Sequence, residues 1–238
     1  AKHAVSQALS IAKASPSISG FSLPSSQKTN PVDGMLDEAI LKLSPDDLLT
    51  QGDDIISEVA SLDDRAVVIG GGIGIGAEAS VMLSSQGIEA SGISTSHGLG
   101  VQVSIDVDDQ MTSSWESSSS RRLIEGIPDC VSTAVEWAQK TRNPVEIKSE
   151  AQDTPVIMTS QGISSLFSNI IRPSILGERM VRGESYWSGK LNEVVLDNHL
   201  TMMDDRRMEG GFGSGSRDAE GVPTSCHTII ENGTLRKM

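Results

Sequence analysis

Three segments of the first 150 residues place apolar residues at the period of an α-helix. The first covers residues 4–13 and ends at Ser15-Pro16. The second begins at Ser44-Pro45-Asp46-Asp47, with a serine cap and acidic residues in the first turn. The third begins at Pro128-Asp129 and closes at Asn143-Pro144. Their apolar faces are Ala4, Val5, Ala8, Leu9 and Ala12; Leu48, Leu49, Ile56, Val59 and Ala60; and Val131, Ala134, Val135 and Ala138.

Between the second and third helices the pattern changes to short apolar runs separated by glycine and serine. Residues 66–69, 80–84 and 101–105 are predicted strands, and the spacing of the punctuation favours an antiparallel meander. Residues 111–120 are predicted to be a polar strand end or loop. The serine run 117–120 is predicted from composition to be a flexible loop.

A second unit is predicted to begin near residue 154. Val156-Ile157-Met158 is predicted to be a buried strand, followed by a helix over residues 161–171 that stops at Pro173. Residues 222–238 are predicted to form a hairpin around Asn232-Gly233, because that pair supplies the two positive-φ residues of a type I′ turn. The apolar face of the predicted helix is Ile163, Leu166, Phe167, Ile170 and Ile171.

These elements predict an α+β fold in two parts. Residues 1–150 are expected to place helices beside an antiparallel meander, with residues 15–34 as a connector. Residues 154–238 are expected to be the start of a second, β-rich domain that is truncated. The chain opens on Ala1 and stops at Met238 soon after the predicted turn, so we expect a piece of a longer polypeptide.

Composition narrows the classes of function. The net charge of −13 argues against a nucleic-acid partner, which requires clustered Lys and Arg. No apolar run reaches the roughly 18 residues of a membrane span, so no membrane partner is expected. Two cysteines, Cys130 and Cys226, are too few for a disulfide framework and fit free thiols in a reducing cytosol.

Gly70–Ala77 is the first candidate for chemistry. It follows a predicted strand, and the pattern Gly72-x-Gly74-x-x-Ala77 fits a dinucleotide fingerprint, so a nucleotide-binding enzyme is one alternative. Residues 78–86 are short and rich in serine, however, and no further βα alternation follows. We therefore favour a β-hairpin and predict no nucleotide cofactor.

Other motifs resemble sites without meeting their requirements. Gly183–Trp187 lacks the last glycine of a nucleophile elbow, and Tyr186 and Trp187 are predicted to anchor a loop through their rings. The adjacent Cys226-His227 pair would point to opposite faces of a strand, so ordinary strand residues are predicted. A surface position is predicted for His199, and a solvated turn rather than a calcium loop for Asp106, Asp108 and Asp109.

The last third of the chain carries a set of motifs whose order and spacing are informative. Gly183–Glu193 precedes Leu200–Asp205, and these are followed by Asp218–Thr224 and Ile229–Gly233. In this arrangement the sequence resembles the TldD/PmbA (TldE) family, the peptidases also described as modulators of DNA gyrase. The resemblance covers most of the chain and is strongest over residues 154–238.

The catalytic subunit of that family carries a His-Glu-x-x-x-His zinc motif on the helix after a buried strand. The matching stretch, Val156–Ser164, contains neither His nor Glu. No two of the four histidines have metal-ligand helical spacing, so no metal and no catalytic residue is assigned to this chain; the four are His3, His97, His199 and His227. The sequence thus resembles the PmbA/TldE branch, which implies a non-metal subunit beside a TldD-like zinc peptidase.

The resemblance implies a cytosolic complex that cleaves unfolded peptides, with zinc in the partner subunit. A glycine-rich, acidic segment near the end of the chain supplies candidate contacts for a peptide or partner. These candidates are Gly211, Gly213, Asp218, Glu220, Gly221 and Thr224. A structural role for the acidic pair is an equal alternative, and a stand-alone peptide-binding module is a third class of function.

Overall fold

A computed structural model describes residues 2–16, 22–107, 110–146 and 155–237. Its first part contains helices α1 (Lys2–Ala14), α2 (Pro45–Leu62) and α3 (Asp129–Lys140) and strands β1 (Ala66–Leu83), β2 (Glu89–Val107) and β3 (Gln110–Ser120). Its second part contains α4 (Ser160–Leu166), a π-helical turn (Phe167–Ile171), α5 (Arg172–Ile175), α6 (Gly177–Val181), β4 (Met202–Asp205), β5 (Cys226–Glu231) and β6 (Thr234–Leu235). None of these helices is long and apolar enough to cross a membrane.

The first sheet is an antiparallel meander in the order β1-β2-β3. Alternate residues of β2 point to one face, where α2 and α3 cover them and form the main core. The predicted α+β fold with helices beside an antiparallel meander is therefore confirmed. The buried members of this core are Ile55, Val59, Ala66, Leu99, Val101, Val103, Ile105, Val131, Ala134, Val135 and Ala138.

The strands are longer than the apolar runs indicate. The runs 66–69 and 80–84 are parts of one strand, β1, which pairs with β2 through the whole of Gly70–Ala77. The predicted hairpin conformation of Gly70–Ala77 is confirmed, and the turn before a helix that a phosphate cradle needs is not formed there. The flexible loop predicted for residues 117–120 is wrong, because the ladder with β2 continues to the pair His97–Ser120.

Helix α2 begins as its sequence predicts. The Ser44 hydroxyl accepts from the Asp47 amide at 3.3 Å, and the Asp47 carboxylate accepts from the Ser44 amide at 2.8 Å, which completes a capping box. The predicted buried face is only partly correct. Ile55 and Val59 are buried, whereas three predicted members face solvent: Leu49, Ile56 and Ala60. The apolar residues cover more of the helix than the sheet can bury, so the contact with β1 selects the stripe.

Helix α3 buries all four residues predicted for its apolar face, Val131, Ala134, Val135 and Ala138. Cys130 lies on this helix and Cys226 on β5, as predicted, and both thiols are free. The predicted turn at Asp106, Asp108 and Asp109 falls largely on residues 108–109, which lie outside the described residues.

The start of the second part differs from its prediction. Val156 and Ile157 are exposed and form no strand, since no strand of the described residues pairs with them. The helix predicted for residues 161–171 continues past Pro173 to Ile175 through a π-helical turn. Pro173 lies just after the π-helical turn, where the regular i→i−4 bonding of the helix is already interrupted. Ile163, Leu166 and Ile170 are exposed rather than buried, whereas Phe167 and Ile171 are partly buried.

A small antiparallel sheet, β4-β5-β6, organises the rest of the second part. Asn232 and Gly233 have φ values of 47° and 76°, so the predicted hairpin turn is confirmed. Ile230 and Leu235 are fully buried beneath Met180 and Trp187 in a second apolar cluster. This cluster has no buried member in common with the main core; the boundary at residues 150–154 stays a prediction.

The Asp63 carboxylate ties the end of α2 to β1 and α3. It accepts from Arg65 Nε at 2.8 Å, Arg65 Nη2 at 2.7 Å and Gln139 Nε2 at 2.9 Å, and its side chain is almost fully buried. These hydrogen bonds, the Arg65 guanidinium first and Gln139 second, hold the pKa of Asp63 far below its usual range.

Asp63→Asn is expected to lower the unfolding free energy at pH 7 by about 2 kcal/mol, the loss of a charged hydrogen-bond acceptor. A carboxyl group whose pKa is lowered by folding stabilises the protein at pH values above its ordinary pKa of about 4. This stabilisation is lost as the pH falls further. The gap between wild type and variant should therefore narrow from pH 5 towards pH 2 in urea titrations. Asp64→Asn, at the exposed neighbour, should change stability by less than about 0.5 kcal/mol.

Two adjacent glycines of β1 should respond in opposite directions to alanine. A Cβ at Gly72 would meet no atom within 4 Å, whereas one at Gly71, whose φ is 152°, would lie 2.5 Å from the Gly100 oxygen. Gly72→Ala should raise the unfolding free energy by about 0.5–1 kcal/mol, because glycine is the costlier residue within a strand. Gly71→Ala should lower it. Thermal unfolding of both variants checks this, and equal shifts would contradict the pairing of β1 with β2.

Candidate functional site

The segment that carries the predicted contact residues packs against the far end of the β1–β2 hairpin. Residues 206–224 form a loop between β4 and β5, held by hydrogen bonds to the connector before α2. The Gly210 amide donates to the Asp33 oxygen at 3.0 Å, and Thr29 Oγ1 donates to the Ser216 oxygen at 3.1 Å. The last third of the chain therefore contributes directly to a surface built by the first.

A cavity of about 770 Å³ lies between these segments. Its floor is the end of the β1–β2 hairpin, and its walls come from the connector and the 206–224 loop. The lining residues include Asp33, Glu78, Ser80, Met82, Ala90, Gly92, Ser94, Arg121, Arg206, Phe212, Ser214, Arg217 and Asp218. A volume of this size falls within the roughly 300–1,000 Å³ typical of ligand sites.

Arg121 holds the loop to the sheet. Its Nη1 donates to Ser94 Oγ at 3.1 Å and to the Thr95 oxygen at 3.3 Å, and its Nη2 donates to the Phe212 oxygen at 3.1 Å. The guanidinium also lies 4.8 Å from the centre of the Phe212 ring, within reach of a cation–π interaction. Arg121 thus contacts both the sheet and the candidate segment.

Two further arginines of the loop line the cavity. Arg206 Nε donates to the Gly213 oxygen at 3.1 Å. Arg217 donates to the Gly221 oxygen at 2.8 Å and to the Gln27 oxygen. All of these acceptors are neutral carbonyl groups.

The predicted contact residues fall into two groups. Asp218 lines the cavity, but its Oδ1 accepts from the amides of Glu220 and Val222, each at 2.9 Å, so it also shapes its own turn. Gly221 packs against the hairpin: a Cβ there would lie 2.6 Å from Ile88 Cδ1. The Thr224 hydroxyl donates to the backbone oxygen of Gly215 within the loop.

Of the other candidates, Glu220 and Gly213 are exposed, whereas Gly211 is closely packed within the loop. Glu220 is exposed and donates its amide to Asp218. A Cβ at Gly213 would meet nothing within 4 Å, and one at Gly211 would meet Ser214 Oγ at 2.5 Å. The structure therefore gives Asp218, Gly221 and Thr224 structural contacts, and peptide contact stays a prediction for the whole set.

A cluster of hydrogen bonds beside the cavity fixes the segment between the connector and α2 on β2. Thr95 Oγ1 accepts from the Asp37 amide at 2.8 Å and donates to the Arg121 oxygen at 3.0 Å. The Asp37 carboxylate accepts from the amides of Leu123 and Ala39, and these two bonds lower the pKa of Asp37. The cavity wall is thereby a preorganised part of the fold.

The four histidines do not converge. His97 is buried: its Nδ1 accepts from the Ile124 amide at 3.0 Å and its Nε2 lies 3.1 Å from Gln51 Oε1, and burial lowers its pKa. The neutral His97 ring thus connects Gln51 of α2 to β2 and to the backbone at Ile124. His199 is on the surface, as predicted. His227 Nε2 lies 3.7 Å from Asp204 Oδ2, on the strand next to β5.

The helical segment Ser160–Ile175 contains no His, Cys, Asp or Glu. Across the part of the chain that the structure describes, no three such residues form a group that could hold a metal ion. The Gly183–Trp187 motif is also structural: Trp187 is buried in the second apolar cluster. The prediction that Tyr186 anchors the loop is wrong, because its ring is 89% exposed and lies outside the cluster.

Comparison with known proteins agrees with this fold. Residues 151–238 match the family model of the PmbA/TldA metallopeptidase C-terminal domain. The crystal structure of TldE from Thermococcus kodakarensis superposes with a TM-score of 0.85 at 26% identity, covering 100% of this chain and 53% of that one.

Two curated relatives extend the match. An uncharacterized protein of Methanocaldococcus jannaschii is 23% identical over 210 residues, which is 88% of this chain and 48% of the relative. A metalloprotease TldD homolog of Buchnera aphidicola is 32% identical over 83 residues, 35% of this chain and 17% of the relative. The chain spans about half the length of the Methanocaldococcus jannaschii relative.

These matches define the class: a protein with the fold of a metallopeptidase family. The chain belongs to the TldD/PmbA family, as its motifs from Gly183 to Gly233 predict. Of the candidate contact residues, Asp218 lines the cavity, and the arginines that line it with Asp218 were not predicted from the sequence: Arg121, Arg206 and Arg217.

Proposed function

We propose that this chain is part of the non-metal subunit of a TldD/TldE-type metallopeptidase that acts on unfolded peptides. The observation that carries the proposal is the helical segment Ser160–Ile175, which offers no zinc-ligating side chain within a fold that superposes on TldE. Serine, asparagine and glutamine side chains are poor replacements for imidazole and carboxylate as zinc ligands.

In this proposal the zinc lies in a TldD-like partner subunit, where it activates water for peptide hydrolysis. This chain completes the assembly and contributes the cavity between the β1–β2 hairpin and the 206–224 loop. A cytosolic location is part of this proposal, and the free thiols of Cys130 and Cys226 support it. A stand-alone peptide-binding module would use the same cavity without a partner.

The test is reconstitution of the full-length protein with its homologue that carries the His-Glu-x-x-x-His motif. The full-length protein alone should leave an unfolded peptide intact and should retain no stoichiometric zinc after dialysis. The mixture should elute as one complex in size-exclusion chromatography, cleave the peptide, and lose activity when a chelator is added.

A partner variant with both motif histidines changed to alanine is the matched control, and its mixture should be inactive. Cleavage by the full-length protein alone, unaffected by chelator, would overturn the proposal. Peptide binding without formation of any complex would instead favour the stand-alone module.

A further inference from the structure

Three arginine side chains surround one cavity without an acidic partner. Arg121, Arg206 and Arg217 all line it, and their guanidinium groups donate to carbonyl and hydroxyl oxygens. None of the three forms an ion pair with a carboxylate of a described residue. In a chain with a net charge of −13, three such guanidinium groups around one cavity call for a physical explanation.

The carboxylates that line the cavity form no ion pair with these arginines. Asp33 and Glu78 are exposed, so water and salt screen their charges, whereas the three arginines are partly buried and less screened. Asp218 is occupied by two backbone amides of its own turn. The cavity is therefore lined by three guanidinium groups and three carboxylates, and within the described residues none of these guanidinium groups is held in an ion pair.

Two of the arginines also have unsatisfied donors. The Nε atoms of Arg121 and Arg217 are buried and find no acceptor among the described residues. An unpaired buried donor is unfavourable, and such groups in native proteins commonly indicate a missing ion, water or ligand. An anion in the cavity would offset both positive charges through the low-dielectric wall.

Arg206 is the group best placed to bind that anion directly. Its Nε is held by the Gly213 oxygen, and its two Nη atoms make no hydrogen bond within the part of the chain that the structure describes. A guanidinium fixed at Nε and free at Nη presents the planar pair of donors that matches a carboxylate. Phe212 and Met82 add apolar wall beside it.

We propose that this cavity binds a carboxylate group of a peptide, with Arg206 as its principal contact. The inference rests on the proposed function only in taking a peptide as the molecule that contains the carboxylate. The carboxylate can come from the C-terminus of the peptide or from an acidic side chain, and the chemistry at Arg206 is the same. The cavity thereby selects the end or the acidic position of an unfolded chain.

The experiment measures peptide binding to the full-length protein by calorimetry, with no partner subunit and no turnover. Three acetylated hexapeptides of glycine, alanine and leucine are compared: one with a free C-terminal acid, one amidated, and one amidated with an internal glutamate. At least one carboxylate peptide should bind about tenfold or more tightly than the uncharged one, and this margin should shrink at high salt. The peptide that binds more tightly identifies the source of the carboxylate.

Arg206→Gln should abolish this margin. Arg182→Gln, which removes an exposed guanidinium from the helical pair with Glu178, should preserve it. Circular dichroism spectra of both variants that match wild type show that the fold is retained. Equal binding of all three peptides, no binding of any, or an unchanged margin in a folded Arg206→Gln protein would overturn the inference. None of these outcomes bears on whether a complex forms with the metal-binding homologue.

Discussion

Replacing Gly233 with alanine should lower the unfolding free energy by about 3 kcal/mol or more. The left-handed φ of 76° costs a non-glycine residue about 1–2 kcal/mol. A Cβ would in addition lie 2.4 Å from the Leu196 oxygen and 2.8 Å from the Asp197 oxygen, which are backbone atoms that cannot rotate away. Displacement of this segment would open the cover over Ile230 and Leu235.

Gly189→Ala separates the two contributions. Gly189 has a similar φ of 78°, but a Cβ there would meet nothing within 4 Å. It should therefore cost only about 1–2 kcal/mol, the backbone contribution alone. Urea unfolding monitored by tryptophan fluorescence, to which the buried Trp187 contributes, measures both variants. Equal losses would contradict the close packing of the turn against residues 196–197.

The features that sequence predicted best are those that neighbouring residues determine. The Asn232-Gly233 turn forms because two adjacent residues tolerate positive φ. The start of α2 forms because Ser44 and Asp47 exchange hydrogen bonds three residues apart. The buried face of α3 was also predicted correctly, since its apolar residues occupy a single narrow stripe.

The prediction of which residues are buried failed wherever burial depends on the element that packs against them. Helix α2 has apolar residues at both Ile55 and Ile56, and only the position of the sheet selects Ile55. Val156 and Ile157 are apolar enough for a strand, yet a strand needs a neighbour that the local sequence cannot supply. The serines of β3 are held by pairing with β2, which overrides their composition.

The candidate site likewise has one part that the sequence predicted and one part that depends on the tertiary structure. The resemblance of residues 183–233 to a known family located the loop that borders the cavity. The cavity itself depends on contacts across long stretches of chain, such as the bond from Arg121 to the Phe212 oxygen, 91 residues apart. No periodicity connects such residues, so their convergence on one cavity emerges only from the tertiary structure.

Arg121→Met should lower the unfolding free energy by roughly 2–3 kcal/mol, although methionine keeps the apolar stem of the side chain. Hydrogen bonds from a charged donor contribute about 1.5–3 kcal/mol each and are not additive within one group. The variant loses the bonds to Ser94, Thr95 and Phe212 together with the cation–π contact. The loop should loosen first, because Arg121 is its direct link to the sheet.

Hydrogen exchange gives the local readout. The amides of Ser214 and Gly215 donate to the oxygens of Gly211 and Arg206, each at 3.1 Å, and should lose protection in Arg121→Met before the core does. Arg122→Met is the matched control. Arg122 pairs with Glu209 at 2.6 Å, but both side chains are about two-thirds exposed, so the loss should stay within about 1 kcal/mol. Similar losses from both variants, with protection of Ser214 unchanged, would show that Arg121 does not connect the loop to the sheet.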